Sequence, residues 1–159
     1  MLFEQRVKLK NINPAIVIKS FHDFNFIKFL IKMQPVRIEY WNGINNNEKA
    51  AFKFWFFGWR DFKVIHKNYT KDLNYLHFED VGIEFPFGIS YWHHHHTIIS
   101  HKNGTMIIDK IHFDFDNFQK KILFYPVVLF PVIIRKLTYR FWFYFILRGK
   151  KDTIKRKSI

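Results

Sequence analysis

Cysteine is absent from the 159-residue chain, and that one absence excludes disulfides, thiolate metal sites, iron–sulfur clusters and thiol nucleophiles together. Acidic residues are scarce: 13 Asp and Glu stand against 26 Lys and Arg, for a formal charge of +13. Long uncharged apolar runs are missing as well. The longest, residues 122–134, is interrupted by Pro126 and Pro131 and closed by Arg135, short of the roughly 20 residues that a membrane-spanning helix needs. The opening segment, MLFEQRVKLK, alternates charged and apolar residues and offers no apolar signal-peptide core, so a cytoplasmic location is expected. Neither a phosphate-binding loop nor a cofactor fingerprint occurs, and no cofactor is expected.

What is present fits one domain. A chain of this length buries roughly 70% of its unfolded surface and needs no covalent staple. No repeat and no interdomain linker interrupts it, so residues 1–149 read as one domain and residues 150–159 as a basic tail. The charge is concentrated at that end: residues 120–159 hold 11 basic residues and one acid, Asp152. Such a basic stripe, without a recognisable reading module, attracts nucleic acid only non-specifically, and no specific nucleic-acid partner is expected. Each basic residue beside an anionic membrane contributes roughly 1 kcal/mol, which makes a weak membrane-surface contact the partner expected of this segment. Phenylalanine is abundant, at 21 residues, but so are Lys, Ile and Asn, which share AT-rich codons; aromatic richness alone is not a pocket signature.

The order of elements follows from periodicity. Phe3, Gln5, Val7 and Leu9 alternate with charged residues, the period of a half-buried strand. Asn13 and Pro14 then form a helix start, and a second short helix over residues 25–33 must end before Pro35. Six strand-like stretches follow: VRIEYWNG, EKAAFKFWFFG, WRDFKVIHKNY, LNYLHFEDVG, the histidine run SYWHHHHTIIS, and GTMIIDKIHFDF. From Phe124 the spacing of Ile134, Leu137, Phe141 and Phe145 predicts a long helix with those residues facing the sheet, Lys136, Arg140 and Arg148 on another stripe, and Gly149 at the C-terminal cap. Antiparallel hairpins covered by one terminal helix give an α+β architecture.

The four histidines cannot act as one cluster, because successive strand residues point to opposite faces. His94 and His96 share a face with Trp92 and Ile98; His93 and His95 belong to the other face and are expected in solvent. Pairing Ser100 with Thr105 across the HKNG turn sets His96 opposite Asp109, whereas closing the turn at Asn103-Gly104 sets Ile111 there. A carboxylate on so apolar a face needs a hydrogen-bonding partner, and a facing imidazole N–H is a natural one. Two histidines and a carboxylate are also a metal-ligand set, but such sites require all donors to converge on one open position; no metal is assigned.

These residues carry a family resemblance. Phe78-x-Asp80, Pro86-Phe87, Trp92-x-His94-x-His96 and Gly104-Thr105-x-x-x-Asp109 resemble, in order and spacing, the successive motifs of the bacterial ligand-binding branch of the START/Bet v 1-like (SRPBCC, polyketide cyclase/dehydrase-like) superfamily. The pattern departs at Gly82, where relatives often carry Gln, at Phe85, where Gly usually precedes Pro-Phe, and in two extra residues before Trp92. The resemblance implies a helix-grip fold, a curved antiparallel sheet of 6–7 strands wrapped on a long C-terminal helix, with two short helices after the first strand. It implies binding or transport of a hydrophobic small molecule, such as a lipid, isoprenoid, polyketide or quinone, in a cavity of a few hundred Å3. Strand alternation lines that cavity with Phe52, Phe54, Phe56, Phe62 and Val64, and with Trp92, Ile107, Ile111 and Phe113. Leu137 and Phe141 cover it from the helix, and His94, His96 and Asp109 are its polar residues. The alternative is a cyclase- or isomerase-type enzyme in which His96, oriented by Asp109, acts as general base.

Overall fold

A computed structural model describes residues 1–147. The chain runs β1 (Leu2–Lys10), α1 (Pro14–Phe21), α2 (Phe24–Ile31), β2 (Val36–Trp41), β3 (Lys49–Trp55), β4 (Trp59–Asp72), β5 (Tyr75–Glu84), β6 (Ile89–His101) and β7 (Gly104–Phe115). It closes with α3 (Phe118–Ile133), α4 (Arg135–Phe141) and a π-helical turn, Trp142–Ile146. The seven strands form one antiparallel sheet ordered β1-β7-β6-β5-β4-β3-β2, gripping the C-terminal helical run. This is the helix-grip architecture. Arg148, Gly149 and the tail 150–159 lie outside the described residues.

Local chemistry accounts for the boundaries. Asn13 caps α1 by accepting from the Ala15 amide at 2.8 Å, with Pro14 in the first helical position. Asp23 does the same for α2 through Asn25 at 2.9 Å. The β6–β7 hairpin closes on Lys102 and Asn103, so Ser100 pairs with Thr105 and His96 with Asp109. Gly104 has a steric reason: a Cβ there would collide with the Leu9 carbonyl oxygen of neighbouring β1. Thr105 then anchors the same crossing by donating to the Ile12 carbonyl at 2.7 Å.

The helical run differs from expectation. It begins at Phe118, capped by Asn117 on the Lys120 amide, and both Pro126 and Pro131 sit inside it. Each proline removes one amide donor and crowds the carbonyl four residues back, and the run breaks at Ile134. Side chains satisfy carbonyls at the break: Gln5 donates to Val132 O at 3.0 Å and Gln34 to Pro131 O at 3.4 Å. The break and the π turn shift the helical phase, so a constant 3.6-residue period selects the wrong inward residues. Leu137, Phe141 and Phe145 are 66%, 51% and 65% exposed, while Thr138, Tyr139, Trp142 and Phe143 are buried. Ile134 is partly buried. Counted as one helix, residues 118–146 are long and apolar enough to cross a membrane, with 28% of the apolar window buried; the sequence expectation of a run too short rests on the uninterrupted segment alone.

Two apolar clusters fill the grip. One joins Val7, Phe21, Phe26, Phe78 and Ile98 to Tyr139 and Phe143. The other joins Phe62, Trp92, Ile111 and Phe113 to Val128, Leu129 and Val132. Between them the inward strand positions turn polar.

Candidate functional site

Five strands each contribute polar residues to one row. Along β7 the inward residues are Ile107, Asp109, Ile111; along β6 they are Ile98, His96, His94, Trp92; β5 supplies Asp80, β4 His66 and β1 Gln5. Register makes the row continuous, because Gln5 and His96 both pair with Asp109, and His94 and His66 both pair with Asp80. Tyr139 and Arg135, one helical turn apart on α4, cover the row from above.

His96 is its centre. Nδ1–H donates to Asp109 Oδ1 at 2.9 Å and Nε2–H donates to Asp80 Oδ2 at 3.0 Å. The ring stacks on Phe78 at 4.5 Å, an arrangement that favours a cation over an aromatic face. Asp109 Oδ1 also accepts from His94 Nε2 at 3.3 Å and Tyr139 Oη at 3.5 Å, and Asp80 Oδ1 accepts from His66 Nδ1 at 2.8 Å.

The protonation states follow. Burial opposes charge on His96, but the Asp80 charge and the hydrogen bond to Asp109 outweigh it and raise the imidazole above its ordinary value. Burial likewise opposes ionisation of Asp109, yet the bonds from His94 and His96 hold it far below the usual carboxyl range. Asp80 is lowered in the same way, the His96 charge and the His66 bond overcoming burial. His94 goes the other way: burial, with the His96 cation 3.8 Å from ring to ring, lowers it to about 3. Despite burial, Arg135 stays cationic through Tyr139, Asp109 and Asp80, and burial beside Asp109 keeps Tyr139 a neutral phenol. Two carboxylates are thus balanced by one imidazolium and one guanidinium.

Above the row lies an apolar cavity of about 70 Å3, lined by Phe52, Phe54, Phe62, Trp92, Val128 and Val132 with Asp80, His94 and Arg135. A second space of about 60 Å3, between Phe21, Phe78, His66, His96 and Tyr139, shares Phe52, Asp80 and Arg135 as walls. The cavity expected to span a few hundred Å3 is therefore much smaller, because aromatic side chains fill most of the grip. Among the described residues, buried polar atoms without a hydrogen-bond partner include His66 Nε2, Trp92 Nε1, Asp109 Oδ2 and Arg135 Nε.

The structure distributes the sequence-derived residues as follows. Phe52, Phe54, Phe62, Trp92 and His94 line the larger space, and Phe52 and His96 the smaller. Asp109 is fully buried beneath them. Val64, Ile107, Ile111 and Phe113 are core residues on the same face that reach neither space. Phe56 packs at the rim on Phe87 and Phe124. Leu137 and Phe141 point away from the cavity, for the reason of helical phase given above. Asp80, His66, Arg135 and Tyr139 were not singled out as site residues. Strand parity with Phe78 and with Phe62 and Val64 marks the first two, whereas the helix break concealed the others. At the entrance, Gly82 and Phe85 explain each other: a Cβ on Gly82 would strike the Phe85 ring, so the two departures from the superfamily pattern are one packing arrangement.

No family model and no curated protein matches the chain by sequence. Solved structures do match its fold. Norcoclaurine synthase from Thalictrum flavum aligns with a TM-score of 0.63 and 11% identity over 94% of this chain and 96% of that one. Protein Ms6760 from Mycobacterium smegmatis aligns at 0.61 and 7% identity over 87% and 88%, and Ara h 8.0201 at 0.50 and 13% identity over 87% and 95%. The fold is Bet v 1-like.

Linkage gives the row a pH signature. Below about 6.5 the unfolded chain protonates position 94, while the folded chain refuses that proton until about pH 3, so this term reduces stability as pH falls. His96 has the opposite sign: its contribution is complete below its unfolded value and is lost as pH rises through its raised folded value. Asp80 and Asp109 add stability that is present above their unfolded value of 3.8 and is lost as pH falls through their lowered folded values. We expect His94→Gln to reduce the slope of unfolding free energy between pH 6.5 and 4.5 by up to about 1.4 kcal/mol per pH unit, one proton's worth. Urea titrations across that range check it; an unchanged slope contradicts a buried neutral His94.

Proposed function

We propose that the protein binds a hydrophobic small molecule whose apolar body lies between sheet and helix and whose polar end accepts hydrogen bonds from Arg135 and Trp92. The observation that carries this reading is the pairing of an apolar cavity with two buried, unpartnered N–H donors on its walls. An unsatisfied buried donor costs roughly 1–3 kcal/mol, and a carboxylate, carbonyl or phenolate oxygen removes that cost. The two spaces together match a single aromatic ring or a short branched chain. A longer lipid, isoprenoid, polyketide or quinone requires Val128, Pro131 and Val132 of α3 to move outward. A structure of the same fold, norcoclaurine synthase, holds dopamine and hydroxybenzaldehyde, ligands of the smaller kind.

The cyclase- or isomerase-type alternative draws less support. A general base needs a free lone pair, and both nitrogens of His96 donate to carboxylates. His94, lowered to about 3, is too weak a base at neutral pH.

Benzoate serves as a probe for the binding reading. Calorimetry should show saturable 1:1 binding, weakened at least tenfold by Arg135→Met and also by Trp92→Phe, which keeps an aromatic ring but removes the donor. No binding, or binding indifferent to both substitutions, contradicts the proposed pose.

The partner that supplies such a ligand is, in this reading, an anionic membrane surface met by a cytoplasmic carrier. From Phe118 to Leu147 the chain contains no acidic residue and five basic ones, Lys120, Lys121, Arg135, Lys136 and Arg140. The same run exposes Phe118, Ile122, Phe130, Leu137, Phe141 and Phe145. Apolar residues flanked only by cations are the composition of a helix lying in a bilayer interface. The basic face first assigned to this contact thus gains an apolar one. Sedimentation with vesicles should show binding to phosphatidylglycerol-containing bilayers and little to pure phosphatidylcholine, with at least a tenfold loss in the Leu137→Glu/Phe141→Glu double variant. Equal binding to both vesicles, or no loss in the variant, contradicts this contact.

A further inference from the structure

The histidine strand has a second side. His93 and His95 were expected in solvent, but they turn outward onto a buried acid. Glu79 of β5 lies directly across from His95, with His77 two residues along the same strand and His93 two residues along β6. Its Oε1 accepts from His77 Nε2 at 3.1 Å and lies 3.2 Å from His95 Nδ1; its Oε2 accepts from His93 Nε2 at 2.7 Å and from Asn68 Nδ2 at 2.8 Å. The carboxylate side chain is only 10% exposed, whereas the three imidazoles retain 21–30% exposure.

We propose that His77, Glu79, His93 and His95 form a binding site for one divalent transition-metal ion of the zinc type on the outer face of the sheet. Three imidazoles and one carboxylate are the ligand types that zinc takes in tetrahedral sites. The donor atoms of His77, Glu79 and His95 already lie within 4.8 Å of one another. Tetrahedral bonds of about 2.0–2.1 Å place neighbouring donors about 3.4 Å apart, and each imidazole here already stands 2.7–3.2 Å from a Glu79 oxygen, His77 and His95 from Oε1 and His93 from Oε2. A cation would replace the protons now shared between Glu79 and the imidazoles, drawing the His77, Glu79 and His95 donors together and His93 in from the other carboxylate oxygen.

The outer shell fits a metal site as well. Histidines that bind a metal are oriented by a partner on the other ring nitrogen. His77 Nδ1 meets the Thr97 hydroxyl at 3.0 Å, and His93 Nδ1 meets the Tyr91 hydroxyl at 3.2 Å. A hydroxyl accepts as readily as it donates, so each ring can change tautomer and present an Nε2 lone pair. Lys110, across β7 from His95, is exposed and free to turn into solvent. Strand parity makes this cluster distinct from the inner row: His94, His96 and Asp80 also bring their donors within 4.8 Å, but both nitrogens of His96 donate to carboxylates and leave it no lone pair for a metal.

The test uses untagged full-length protein stripped of metal by chelation and titrated with zinc chloride by calorimetry, with cobalt as a spectroscopic substitute. One zinc per chain is expected, with intense four-coordinate visible bands for cobalt and a higher melting temperature in the presence of zinc. His77→Gln, Glu79→Gln and His95→Gln should each weaken zinc at least tenfold, and Thr97→Val, which touches no metal, by about tenfold. His77, His95 and Thr97 are partly exposed and Glu79 is buried, and circular dichroism verifies that each variant folds. Absence of stoichiometric zinc binding overturns the proposal. So does binding that survives His77→Gln and His95→Gln but is lost in His94→Gln, which would move the metal to the interior.

Discussion

Asp80 and Asp109 both lean on His96, and the rest of the fold is arranged around that contact. A buried ion costs several kcal/mol to desolvate unless it is paired and its hydrogen bonds are filled. Here each carboxylate takes one N–H of the same imidazolium, Arg135 supplies the second positive charge, His66 bonds the other oxygen of Asp80, and Tyr139 shares Asp109 Oδ1 with His96. The row divides the interior into two apolar clusters and binds β4, β5, β6 and β7 to α4. Truncating one member would leave a charge unpaired in the core, which explains why the residues form a set.

The same contact defines what the site can do. With both imidazole nitrogens committed, His96 organises the interior, and the chemistry open to a ligand passes to Arg135 and Trp92. These border the apolar space and have donors to spare. In the proposed mode, binding rests on apolar fit plus one acceptor atom, and the size of the ligand on how far α3 yields beside Pro131, just ahead of the break at Ile134, where Gln5 and Gln34 hold carbonyls.

Much of this is legible in the sequence, for a physical reason. Strand parity is strict, so the inward placement of His94, His96 and Asp109 follows from alternation; the short turn allowed two registers, and its closure on Lys102 and Asn103 sets His96 opposite Asp109. The motif resemblance assigned the fold, and each of its residues has a structural role: Phe78 beneath the His96 ring, Gly104 against β1, Thr105 on Ile12. Helical phase is less strict. Two prolines, a break at Ile134 and a π turn rotate the inward face, so Leu137 and Phe141 were placed inside while Arg135 and Tyr139 went unnoticed. Cavity volume was beyond reach as well, since it depends on rotamers that pack Phe52, Phe54 and Phe62 together. The outer histidines do keep partial exposure, but Glu79 across from them was not foreseen; the pairing of β5 with β6 supplies that.

The central claim is that His96 is an imidazolium bridging two carboxylates. Nitrogen-15 NMR of histidine-labelled protein reads it directly, because doubly protonated rings, neutral rings and each tautomer give distinct nitrogen shifts. The account predicts that, at pH 7.5, His96 shows two protonated nitrogens with slowly exchanging protons, while His94 shows one protonated Nε2 and one bare Nδ1. A neutral His96 at that pH, or exchange of its protons as fast as that of a surface histidine, would contradict it.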